Sequence, residues 1–250
     1  MSYPSTAPRS HQIDVIDQIS RAYRVVVDNL QLVVEIALLP YLIVLGIDLV
    51  AFLIPGTGLF GRLLAGLVHA IGFLVFGSVF VVRWHRFVLL GERVGGGLIP
   101  AGWVDFVMTG IKLGVLIFAG WVVLLLLALV PPQALTAPLA AVGGFALALA
   151  ALRVSLVFPA AAVQRPVGLR TAWNWIEGNF WRLLASAIGC YLPFIVVQAV
   201  VGAVAPAFPS LIWIVFEAVR LAVSFAGSAV AAAMLAHLYR DITGGPEAAP

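Results

Sequence analysis

The sequence predicts an all-α polytopic membrane protein with six spanning helices, on three observations. Hydrophobic residues make up 63% and charged residues 10% of the 250-residue chain, less than half the charged share of a typical soluble domain. The apolar residues gather in six runs, each long enough for the roughly 20 helical residues a bilayer core requires. Arginine concentrates on alternate connections between those runs, the pattern of a bundle inserted with one face held in the cytoplasm.

The elements follow in order. Residues 1–11, polar and proline-containing, are expected as a disordered tail; no apolar stretch with a small-residue cleavage site follows them, so a signal peptide is not expected. One transmembrane domain is expected over 12–242, with a second disordered tail at 243–250. Within 12–29, Ile13, Ile16, Ile19, Tyr23, Val26 and Leu30 recur every three or four positions among charged residues, which predicts an amphipathic helix lying at the membrane interface. The spans are expected at 30–53, 62–84, 104–130, 137–160, 182–204 and 211–239. Between them stand "IPGTG", "GGGLIP", "PPQALTAP" and "APAFPS", proline and glycine punctuation that ends helices. A second interfacial helix is expected over 166–181, with Trp173, Ile176, Phe180 and Leu184 on one stripe.

Charge then orients the bundle. Arg9, Arg21 and Arg24 precede span one, Arg83, Arg86 and Arg93 follow span two, Arg165, Arg170 and Arg182 separate spans four and five, and Arg240 closes span six. The connections after spans three and five carry no Lys or Arg, and the one after span one only Arg62. Both termini are therefore expected in the cytoplasm. Trp84, Trp173, Trp175, Trp181 and Tyr239 fall at span ends or in the second amphipathic segment, and are expected as interfacial anchors. Ala22, Tyr23 and Asn29 match Ala172, Trp173 and Asn179 at one offset, while Trp103 and Lys112 match Trp173 and Arg182 at another. Three tandem hairpin units, each led in by an aromatic, basic turn, are one reading of this.

The chemistry the sequence offers is thin. A single cysteine, Cys190, excludes an intramolecular disulfide and sits in an apolar run as a buried thiol would. Phosphate-cradling, zinc-protease and nucleophile-elbow motifs are absent, and His11, His69, His85 and His237 are dispersed, so no catalytic residue, metal or cofactor is expected. The net charge of +3 follows from the topology, and no nucleic-acid partner is expected. Small residues at Ser224, Ser228, Ala232 and Ala236, and at Gly144 and Ala148, permit close helix approach. Glu35, Lys112 and Arg153 fall in the cytoplasmic half, where long side chains reach water. Asp48, His69, Glu217 and Arg220 fall in the outer half or near the midplane, where a lone charge is costly. They form the candidate polar cluster, read either as an ion pair tying spans one and six or as a pocket for a headgroup, a small solute or a proton. Arg220 is expected to be shared by Glu217 and Asp48, with His69 or Arg62 balancing the excess charge.

The run "LRVSLVFPAAAVQRPVGLRTAWNWIEGNFWRLL" at 152–184, with "WHRFVLLGE" at 84–92 and "LYRDI" at 238–242, resembles the membrane domain that precedes bacterial glycerophosphoryl diester phosphodiesterases, and related multi-span inner-membrane families. The resemblance implies a fold and little chemistry, since those enzymes catalyse on a separate soluble barrel with a His-Arg-Gly start. Here "HRF" stands at His85 to Phe87, and six spans leave no room for such a barrel. The expected function is that of a non-enzymatic bacterial inner-membrane protein acting as an accessory, scaffold or lipid-interacting protein, its partners membrane lipids and possible membrane-protein complexes. The alternative is a transporter of a small solute or lipid using the outer polar cluster. Unwound backbone at Pro40 or Pro193 would favour transport, and straight helices with a lipid-facing groove the accessory role.

Overall fold

The computed structural model describes residues 12–52, 59–93, 97–128, 133–205 and 210–244. The expected tail at 1–11, residues 245–250, most of the turns after spans one, three and five, and the Arg62 side chain lie outside the described residues. Every regular element among the described residues is helical. Six helices are long and apolar enough to cross a membrane, at Leu30–Ala51, Leu63–Leu90, Trp103–Leu127, Thr136–Arg153, Phe180–Val204 and Ile212–Thr243. The chain is an all-α polytopic membrane protein.

Helix α1 (Val15–Asp28) starts where the Asp14 carboxylate accepts from the Ile16 and Asp17 N–H groups at 3.0 and 3.1 Å, satisfying two of the donors a helix start leaves open. It stops at Asn29, whose side-chain amide donates to the Val25 carbonyl at 2.8 Å, and α2 (Leu30–Phe52) follows at once. Span two is α3 (Leu59–Gly72), a π turn (Phe73–Gly77) and α4 (Ser78–Leu90) in one continuous rod. The π turn frees the Val75 carbonyl, which accepts from Ser78 Oγ at 2.9 Å and from the Trp103 indole at 3.3 Å. α4 ends at Gly91, whose φ of 69° suits a residue without Cβ. Span three is α5 (Trp103–Ala128) and span four α6 (Gln133–Arg153).

The fourth span ends earlier than its hydropathy predicts. Pro159 has no N–H and crowds the carbonyl four residues before it; the chain breaks over 154–156 through tighter bonds such as Val157 N–H to Val154 O at 3.0 Å, then forms the short α7 (Val157–Ala162). The second amphipathic segment is also shorter than expected. α8 covers only Leu169–Trp175, a turn through Gly178 at φ 77° follows, and Phe180 and Trp181 open α9 (Phe180–Val204). Helix α10 (Ser210–Thr243) takes in Thr243, which was expected in the tail.

Helix α10 is the hub and packs against α9, α1, α4 and α2. Alanines permit this: Ala229, Ala233 and Ala236 are fully buried, so neighbouring backbones approach closely where lipid supplies no hydrophobic drive. Helix α1 belongs to this core. Gln18, Ala22 and Val26 are buried against α10 and α9, while Ile16, from the expected apolar stripe, is 77% exposed. The α5–α6 hairpin stands aside, touching the bundle mainly through α7 and α4. Its seam is Gly120 against Leu147, Gly143 against Leu124 and Gly144 against Trp121, where a Cβ on Gly144 would come within 2.7 Å of the Trp121 ring.

One end of the bundle, the basic face, carries the start of α1, the end of α4, α7, α8 and the end of α10. Its arginines bind backbone carbonyls there: Arg240 those of Val88 and Leu89 near the end of α4, Arg86 Ala162 O at the end of α7 while gripping Glu92 at 2.6 and 2.7 Å, and Arg83 those of Gly97 and Leu98 in the connection before α5. The opposite end, the far face, carries the described ends of α2, α5 and α9.

Candidate functional site

Helices α2 and α3 bring Asp48 and His69 together, with Nδ1 of the imidazole 2.7 Å from Asp48 Oδ1. The Asp48 side chain is 6% exposed and that of His69 45%. Asp48 Oδ2 is buried and has no partner. The other candidate pair lies along α10, where Arg220 donates to Glu217 at 3.0 Å across one helical turn. Glu217 is buried and the Arg220 side chain is 48% exposed.

The expected sharing of Arg220 between Glu217 and Asp48 does not occur among the described contacts. The Tyr41 hydroxyl donates to the Ala218 carbonyl at 3.0 Å, which fixes α2 against α10 at that level. Asp48 lies roughly two helical turns beyond Tyr41 on α2, toward the far face, and meets α3 instead. The cluster of Asp48, His69, Glu217 and Arg220 is thus two pairs at different depths.

Arg220 opens onto a groove between α9 and α10 of ≈ 690 Å3, whose walls include Gln198, Ala199, Gly202, Ser224 and Gly227. Gln198 holds it: its amide donates to the Arg220 carbonyl at 2.8 Å and to Ser224 Oγ at 2.9 Å, so the polar atoms stitch α9 to α10 while small residues leave the space open. Neither the groove nor the part played by Gln198 was foreseen. Ser224 and Ser228, noted in the sequence as a packing seam, were the available signal, since they line one side of it.

The expected anchors divide. Trp181 is 72% and Trp173 39% exposed, and both present their rings at the surface. Trp84 is fully buried and donates its indole N–H to the Ala229 carbonyl at 2.8 Å; Tyr239 is 1% exposed and packs edge-on against the half-buried Trp175. Trp84 and Tyr239 are core residues, because Trp84 faces α10 and Tyr239 faces Trp175 of α8. His85 is 1% exposed, with Nδ1 2.9 Å from the Val81 carbonyl. Glu35 and Lys112 are exposed, and the Arg153 guanidinium stacks over Trp173 at 4.1 Å from the ring centroid. Cys190 is buried and free. Among the described residues no group of His, Cys, Asp and Glu could hold a metal ion.

No protein-family model, no curated protein and no solved structure matches the chain.

Proposed function

We propose that the protein is a non-enzymatic, lipid-binding accessory or scaffold protein of the bacterial inner membrane, with its basic face in the cytoplasm and a lipid held between α9 and α10. The groove beside Arg220 carries this reading: it lies between two spans, and the half-exposed Arg220 side chain lines it. Two helices also bear on it. Pro40 lies inside an unbroken α2 and Pro193 inside an unbroken α9, so neither expected break for transport is present. The proposed kinship with the phosphodiesterase membrane domain fits the same role.

Native mass spectrometry of the chain purified in mild detergent tests this. Gly202 lines the groove and a Cβ there meets nothing within 4 Å, so Gly202→Trp starts a bulky side chain from open space at the groove wall. The parent should retain phospholipid that Gly202→Trp loses; equal retention by both would overturn the groove as the lipid site.

Transport of a small solute or lipid past the far-face pairs is the second reading. One observation favours it: the π turn interrupts span two just beyond His69, whose partner Asp48 keeps an unpartnered buried oxygen. Substrate flux into proteoliposomes that Asp48→Asn abolishes would select it.

A further inference from the structure

On the basic face, α5, α6 and α8 enclose a second cleft of ≈ 310 Å3, distinct from the α9–α10 groove. Leu113, Leu116, Leu147 and Ala150 give it apolar walls, and Arg170 and Trp173 stand at its rim. Arg153, the last residue of α6, lies over the Trp173 ring at 4.1 Å and within 5.9 Å of the Phe180 centroid. Its Nε is buried without a hydrogen-bond partner. Arg170 is exposed, and among the described residues neither arginine has a carboxylate partner. This differs from Arg86 and Arg220, each of which has one, and from Arg21, which has two.

Arg170 at the rim of an apolar cleft, and Arg153 stacked on the rim residue Trp173, are two cations without a carboxylate partner at the end of a membrane span, a complementary surface for a molecule with an anionic head and an acyl tail. We infer that this cleft binds an anionic phospholipid, the phosphate facing Arg153 and Arg170 and a chain entering between α5 and α6. The site needs only that the chain is embedded in lipid. It does not rest on the α9–α10 groove, which Gly202→Trp tests separately.

The test is thermal unfolding of the delipidated full chain in detergent, titrated in turn with phosphatidylglycerol, phosphatidylcholine of the same chains, and inorganic phosphate. Phosphatidylglycerol should raise the melting temperature at concentrations at least tenfold lower than phosphatidylcholine, and phosphate should have no effect. The double variant Arg153→Gln, Arg170→Gln should lose the preference. Ala150→Leu, which fills the cleft and keeps both charges, should lose the response to phosphatidylglycerol. Equal responses of the parent to the two lipids, or an equal shift with phosphate alone, would overturn the inference with no variant needed. A preference that survives in the double variant would overturn the assignment to these arginines.

Discussion

The imidazole of His69 lies 2.7 Å from the carboxylate of Asp48 and joins span one to span two, leaving Arg220 to Glu217 alone. Asp48 is the more deeply buried partner, so the cost of separating the pair falls on it. His69→Ala strips a buried carboxylate of its described partner and should cost about 1–3 kcal/mol, read as a lower unfolding temperature in detergent. Asp48→Asn keeps a hydrogen-bonding group beside the ring and should cost less. His69→Ala at parental stability would mean that the pair contributes nothing.

Separate pairing makes a distinct prediction for Arg220. Arg220→Met leaves Glu217 without its cation, and Glu217→Gln in the same chain should recover part of the loss, a coupling of about 1 kcal/mol given the half-exposed guanidinium. Asp48→Asn should recover none of it. Rescue by Asp48→Asn would restore the single shared cluster.

Asp241 ties α1 to α10. Its carboxylate takes Arg21 Nη2 at 2.8 Å and the Gln18 amide at 2.6 Å. The hydrogen bond that Arg21 donates to Asp241 raises the guanidinium above its already high ordinary value, against the opposing effect of burial. Asp241→Ala should speed amide hydrogen exchange across Val15–Asp28 severalfold and leave α5 and α6 unchanged. Unaltered exchange in α1 would show that apolar packing alone holds it.

The six spans were legible because hydropathy reports what lipid requires of a helix whatever its neighbours. Rotation about each helix axis was not. Periodicity marked α1 as two-faced, yet Gln18 and Ala22 form its buried centre, because a small residue and a bonded amide fit against α10 better than Ile16 does. The same limit hid the partners of Asp48 and the burial of Trp84 and Tyr239, since residue type places an aromatic at a span end without saying which way it points. Pro159 was a visible stop signal inside a run apolar enough to mask it, and the arginines that mark the basic face also cap the helices ending there.

Tryptophan quenching separates surface rings from core rings. With Trp181 72% exposed and Trp84 fully buried, Trp181→Phe should remove much of the quenching by lipids brominated near the headgroup, while Trp84→Phe should remove almost none. Trp84→Phe should instead cost about 1–2 kcal/mol of stability through the lost bond to Ala229. Strong lipid quenching that disappears with Trp84 would place α4 at the surface.

Cysteine labelling in intact cells tests the arrangement of the chain in the membrane most directly. In a background without Cys190, single cysteines at Gly58, Gln133 and Ala207, in the sequence connections after spans one, three and five, should react with an impermeant maleimide added outside. Cysteines at Gly97 and Gly168, on the basic face, should react only after the cells are opened. Labelling of Gly97 and Gly168 from outside, with the other three positions protected, would contradict a cytoplasmic basic face.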